Sequence, residues 1–159
     1  MKAFVFTEYG SPDVLHFKEV EKPTPEDDQV LVKVHAASAN PLDWHEMRGA
    51  PFIARLTGTG LLKPKNPRLG ADVAGQVEAV GKDVTQFKPG DEVFGVCNGS
   101  FAEYACAREN RLALKPNNAS FEEAAAIPVG WQSLHCRVSA IRDRSSPGKK
   151  FWLMVRLVV

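Results

Sequence analysis

Up to about residue 115 the chain alternates short apolar runs with clusters of Pro, Gly and Asp. Met1 to Phe6 reads as a first strand and is too short an apolar stretch for a secretory signal. Val30 to Ala36 is rich in β-branched residues and follows the polar turn Pro25 to Asp28. Val73 to Val80 is closed by Gly81. Asp91 to Cys97 is opened by the turn Lys88 to Asp91, and Phe101 to Ala107 follows the turn at Asn98 and Gly99. Strands this short, punctuated this densely, predict a mainly β fold with a compact barrel or sandwich.

Two short helices interrupt the pattern. Pro41 to Arg48 has Asn40 as a candidate N-cap, Pro41 at the first helical position, Asp43 near the positive helix end and Gly49 as a stop. A second helix begins at Ser120, where Ser120 and Glu123 have capping-box spacing ahead of Ala124 to Ala126, and Pro128 limits it. Between Ala50 and Leu69, Gly58, Gly60, Pro64 and Pro67 predict a long loop, a common site of function in compact domains.

Composition narrows the classes. The 159 residues suffice for one domain with a core, and 44% hydrophobic with 25% charged residues is ordinary for a globular chain. The net charge of +1 argues against a dedicated nucleic-acid binder. No run of 18 apolar residues suggests a membrane span. Cys97, Cys106 and Cys136 fit neither a disulfide framework nor a zinc ribbon, so free thiols in a reducing cytoplasm are expected. The charge is uneven: residues 1–129 carry 14 Lys and Arg against 18 Asp and Glu, whereas residues 130–159 carry six basic residues against Asp143 alone. Such a shift marks a boundary or a tail.

Several segments carry a more specific signal. They are Met1 to Ala3, Asn40 to Trp44, Gly70 to Gly75 with Val80 and Gly81, Phe87 to Val93, Gly99 to Tyr104, and Phe121 to Pro128. In this order they resemble the zinc-independent, quinone-oxidoreductase branch of the medium-chain dehydrogenase/reductase family. The resemblance covers residues 1–129. It implies a GroES-like, partly open β-barrel domain, followed in the family by a Rossmann domain with NADPH or NADH bound between the two. It also implies quinone or enone substrates and, in full-length members, a homodimer.

The zinc dehydrogenases of the wider family place a Cys ligand where this chain has Asn40, and a His where it has Ala71. Neither replacement can bind zinc, so no metal is expected and hydride transfer would proceed without it. By resemblance, Asn40 faces nicotinamide and substrate, and its amide can donate to a carbonyl oxygen that gains negative charge. Asn40 also fits a plain N-cap. Asp43, Trp44 and Asp72 are expected at the substrate pocket, with Asp72 alternatively holding a loop by hydrogen bonds. His45 is a candidate proton donor or a surface position. Pro128 joins Asn40 as a cofactor contact. His16, His35 and His135 look incidental.

Beyond Pro128 the family calls for a helix, a strand and a glycine-rich phosphate loop. The chain has Gly130 and Gly148 there and ends in the apolar run Phe151 to Val159. Shifting the reading frame across Lys150 to Val159 permits codons for a strand and a glycine-rich loop, and the same shift across Gly130 to Cys136 permits the helix. Residues 130–159 are therefore expected to be an out-of-frame remnant of the start of the Rossmann domain, with a basic tail as the alternative. The resulting expectation is an NAD(P)H-dependent quinone or enone reductase whose present chain lacks activity and does not bind the cofactor by itself. The alternative is a non-enzymatic barrel module with an interaction or regulatory role.

Overall fold

The computed structural model describes residues 1–50 and 60–129. Residues 51–59 of the expected 50–69 loop and the whole 130–159 segment, with its frame-shift reading, lie outside the described residues.

The strands are β1 (Lys2–Val5), β2 (His16–Glu19), β3 (Gln29–Ala36), β4 (Asp72–Val80), β5 (Glu92–Val96), β6 (Tyr104–Arg108) and β7 (Leu112–Leu114). The helices are α1 (Pro41–Arg48) and α2 (Phe121–Ala125). β1 and β2 form an antiparallel pair, and the other strands form a five-stranded sheet in the order β6-β3-β4-β5-β7. Bridges Ala3–Ala102 and Val5–Arg68 tie the small sheet to the rest. The fold is mainly β and GroES-like, and the described strands do not close into a barrel.

The apolar runs read from the sequence become the central strands because one face of each packs into the core, while Lys33, His35, Gln76 and Glu78 are exposed on the other. Val30, Val32, Val73 and Val93 are fully buried and pack with Phe87, Cys97, Ala105 and Ala107. Each buried valine contributes roughly 1.5 kcal/mol or more relative to exposure. β3 and β4 come so close that a Cβ on Gly75 would run into the Lys33 carbonyl and the Val32 side chain. α2 covers one end of the sheet through Ala124 and Ala125 against Ala36 and Ala74. Its capping box is formed: Glu123 N–H donates to Ser120 Oγ at 3.2 Å, and Ser120 N–H donates to Glu123 Oε2 at 2.9 Å.

β2 and β7 escape a periodicity argument. All four residues of β2 are exposed, so no inward face repeats, and pairing with β1 alone defines the strand. β7 has three residues and is largely exposed. β6 starts later than the apolar run from Phe101, because that stretch turns aside to β1: Phe4 N–H donates to the Phe101 carbonyl at 2.9 Å.

One register positions the site. β3 and β4 are antiparallel with Ala36 opposite Ala74. Continuing that register past the end of β3 brings Ser38 level with Asp72, at the point where the chain turns into α1.

Candidate active site

α1 begins as the sequence reading expects. Pro41 supplies the first turn, Asn40 precedes it in extended conformation, and Asp43 Oδ2 accepts the Asn40 backbone N–H at 2.7 Å. Gly49 ends it in the left-handed region at φ 60°, which a Cβ would strain. The Asn40 side-chain amide turns toward the sheet. It donates to Asp72 Oδ2 at 2.9 Å and to Ser38 Oγ at 3.1 Å, while Ser38 Oγ donates to the same Asp72 oxygen at 2.7 Å. The other Asp72 oxygen, Oδ1, accepts the backbone N–H of Val129 at 2.9 Å.

Asp72 is therefore a junction. Its side chain is fully buried and joins three segments: the loop before α1, the start of β4 and the chain just beyond α2. Burial raises its pKa, and the hydrogen bonds from Ser38, Asn40 and Val129 oppose the rise. Asp43 is also buried, and its Oδ1 has no hydrogen-bond partner. Burial pushes its pKa up to about 6, with smaller raising contributions from the charges of Glu46 and Asp72; the Asn40 and Ala71 amides oppose them.

The remaining residues read from the sequence divide in two. Pro128 is buried next to Val129. Trp44 and His45 lie on the exposed side of α1, edge to face at 4.9 Å between ring centres, and the Arg48 guanidinium stacks over Trp44 at 4.7 Å. A cavity of about 420 Å³ opens on another flank of α1. Leu42 and Glu46, one turn apart on the helix, line it together with Gly70, Ala71, Arg68 and Cys97. Asn40, Asp43, Trp44, His45, Asp72 and Pro128 are not among its lining residues. Ala71 is the link, since it lines the cavity and immediately precedes Asp72.

Sequence reasoning missed Ser38, Glu46 and Arg68. Ser38 could have been found by extending the β3–β4 pairing. Glu46 could have been found from its place one helical turn after Leu42. Arg68 sits in a loop whose path no periodicity reveals. Burial raises the Glu46 pKa. The Cys97 thiol is pushed up to about 12, mainly by burial, and Cys106 is raised for the same reason; neither is in a disulfide. Both are therefore poor nucleophiles.

Among the described residues no group of three or more His, Cys, Asp or Glu could hold a metal ion. The positions where zinc dehydrogenases need a thiolate and an imidazole carry an amide, Asn40, and a methyl, Ala71. The donor chemistry does not fit zinc.

The sequence profile of the alcohol dehydrogenase GroES-like domain matches residues 26–117. A 2-methylene-furan-3-one reductase of Solanum lycopersicum is 40% identical over 146 residues, spanning 85% of this chain and 36% of the relative. The quinone oxidoreductase of Coxiella burnetii has a TM-score of 0.76 at 34% identity, covering 88% of this chain and 45% of that one. This chain belongs to the zinc-independent, quinone-oxidoreductase branch of the medium-chain dehydrogenase/reductases. A mycobacterial member of the fold, solved in complex with NADPH, has a TM-score of 0.77 at 28% identity over 89% of this chain and 42% of that one. The chain thus spans less than half the length of these medium-chain relatives. No helix among its described residues is long and apolar enough to cross a membrane.

Proposed function

We propose that the chain provides the substrate-side domain of an NAD(P)H-dependent reductase of quinones or α,β-unsaturated carbonyls that works without zinc. The observation that carries this reading is the Ser38–Asp72–Asn40 cluster. It holds the Asn40 amide, which stands where zinc dehydrogenases carry a cysteine ligand, in a fixed orientation. NAD(P)H, when bound, supplies the hydride. The described residues contain no glycine-rich phosphate loop, so they fit only the nicotinamide end of the cofactor, at Asn40 and Pro128.

When substrate binds, the Asn40 amide hydrogen that goes to Ser38 Oγ turns to the substrate carbonyl and favours the negative charge that develops on that oxygen, while the other hydrogen stays on Asp72. Asp72 thus fixes the direction of the amide, and only the Ser38 contact is exchanged. Asp43 pins the first turn of α1 from inside. Trp44 shapes the approach to the site, and His45, exposed beside it, is the proton donor. The reading includes a homodimer of the full-length protein and a reducing cytoplasm, which suits the unpaired thiols. It also keeps a domain boundary after residue 129, with 130–159 as an out-of-frame remnant; resequencing the coding DNA tests that boundary.

The functional test begins with the coding sequence restored to the shifted frame beyond codon 130. The product should oxidise NADPH only when a quinone or an enone is present, and EDTA should leave the rate unchanged. Asn40→Ala should lower kcat by roughly a hundredfold, the usual cost of one oxyanion donor. NADPH oxidation that ignores the acceptor would sink the reading. The 159-residue chain by itself should not bind NADPH at micromolar concentration, and such binding would overturn its proposed cofactor incompetence.

A further inference from the structure

The cavity beside α1 has an unbalanced charge. Lys65, Arg68 and Arg111 line it, and Glu46 is the single carboxyl among the lining residues. The four ion pairs of the described residues, Lys22–Glu78, Lys82–Asp27, Arg108–Asp28 and Lys115–Glu92, use none of the three cations. Burial raises the Glu46 pKa.

Arg68 is held through its backbone and its stem. Its backbone bridges to Val5, and its N–H donates to Asn66 Oδ1 at 3.1 Å. Its aliphatic stem runs over Gly99: a Cβ there would lie 2.7 Å from Arg68 Cβ and 3.4 Å from Cδ. Gly99 also has φ 92°, so a larger residue is disfavoured twice. The bare glycine thus leaves the space in which the arginine lies. Its charge is felt on the cavity wall, where it opposes the upward shift of the Cys97 thiol. A guanidinium held this way is pre-organised to grip a carboxylate through two parallel N–H bonds, and an arginine suits that geometry better than a lysine. About 420 Å³ is room for a small molecule.

We propose that this cavity is an anion site and that the substrate is an enone bearing a carboxylate, gripped by Arg68 with Lys65 and Arg111 beside it. The proposal rests on the reductase reading for the enone, and on the cavity alone for the carboxylate. Neutral quinones and alkenals leave three cations without a partner, whereas an oxo-enoic acid satisfies at least one. The cavity is lined by Ala71, which immediately precedes the Asp72 that orients Asn40, so the proposed grip and the proposed carbonyl donor flank the same turn of chain.

The test titrates the 159-residue chain by NMR with 4-oxo-2-pentenoate, its methyl ester, the saturated acid 4-oxopentanoate and inorganic phosphate. Both acids should perturb the resonances of Arg68, Gly70 and Gly99, and the ester should bind at least about tenfold more weakly, as loss of one charge-assisted hydrogen bond implies. The preference should shrink as salt is added. Arg68→Gln should abolish it, Arg68→Lys should restore part of it, and Lys115→Gln, on the far ion pair with Glu92, should leave it intact. Equal binding of acid and ester overturns the proposal, as does failure of both acids to bind at millimolar concentration. Phosphate that competes as well as the acids overturns the assignment to a carboxylate. The saturated acid has no alkene to reduce, so its binding reads the anion site alone and stands or falls separately from the reductase activity.

Discussion

Replacing Asp43 by Asn should make the domain more stable at neutral pH and flatten part of its pH dependence. The Asp43 carboxyl is 3% exposed, one of its oxygens has no partner, and no cation pairs with it. Its pKa rises from 3.8 to about 6 on folding. Between those values the folded chain binds more protons than the unfolded one, so stability falls as pH rises through the window. Two pKa units correspond to roughly 3 kcal/mol, an upper bound for what the charge costs the folded state at pH 7. In Asp43→Asn the amide oxygen can still accept the Asn40 N–H, while the new NH2 sits near the Ala71 N–H at a cost of about 1 kcal/mol. The net expectation is a gain of about 1–2 kcal/mol at pH 7 that vanishes toward pH 4. Urea unfolding followed by circular dichroism at several pH values measures it. Glu46 and Asp72 shift in the same direction, so the informative quantity is the difference between variant and parent. A difference that stays constant with pH, or a variant less stable at pH 7, would refute the argument that the buried charge is held at a cost.

Asp72→Asn should lower stability by about 1–2 kcal/mol, because either orientation of the amide sets its NH2 against at least one of three donors; hydrogen exchange at Val129 should speed up, and unchanged protection there means the bond does not form. Gly75→Ala should cost about 3 kcal/mol or more, since the obstacle is the Lys33 backbone rather than a movable side chain, and a variant that unfolds at the parent's urea midpoint contradicts the close β3–β4 approach. Ser120→Ala should cost about 1 kcal/mol through the lost cap of α2, read from the same unfolding curves. Cys97, with its thiol pushed up to about 12, should react with Ellman's reagent at pH 8 far more slowly in the folded chain than in urea; equal rates would mean that the thiol is not buried.

The elements that were legible in the sequence are those whose signal is local. Asn40, Pro41 and Gly49 mark both ends of α1, and Ser120 with Glu123 marks the start of α2, because capping chemistry is written within a few residues. The central strands were legible because their core-facing positions concentrate β-branched residues. β2 was not, because it has no buried face and takes its shape from β1. The site was legible in part for the same reason. Asn40, Asp43 and Asp72 stand out in the family's motifs, and hydrogen bonds join them as a cluster. The identity of their connector, Ser38, depends on a register between strands more than thirty residues apart, which no local pattern carries. The cavity is harder still: Leu42, Arg68 with Ala71, and Arg111 come from three separate stretches, and only the folded chain brings them to one surface.

The Asp72–Val129 hydrogen bond has a mechanical consequence. Asp72 Oδ1 holds the backbone at Val129, and Oδ2 of the same carboxylate holds the Asn40 amide. A pull on the chain at Val129 is therefore transmitted across a single side chain to the amide, without passing through the sheet. The position of the Val129 backbone and the aim of Asn40 are thus set by one carboxylate.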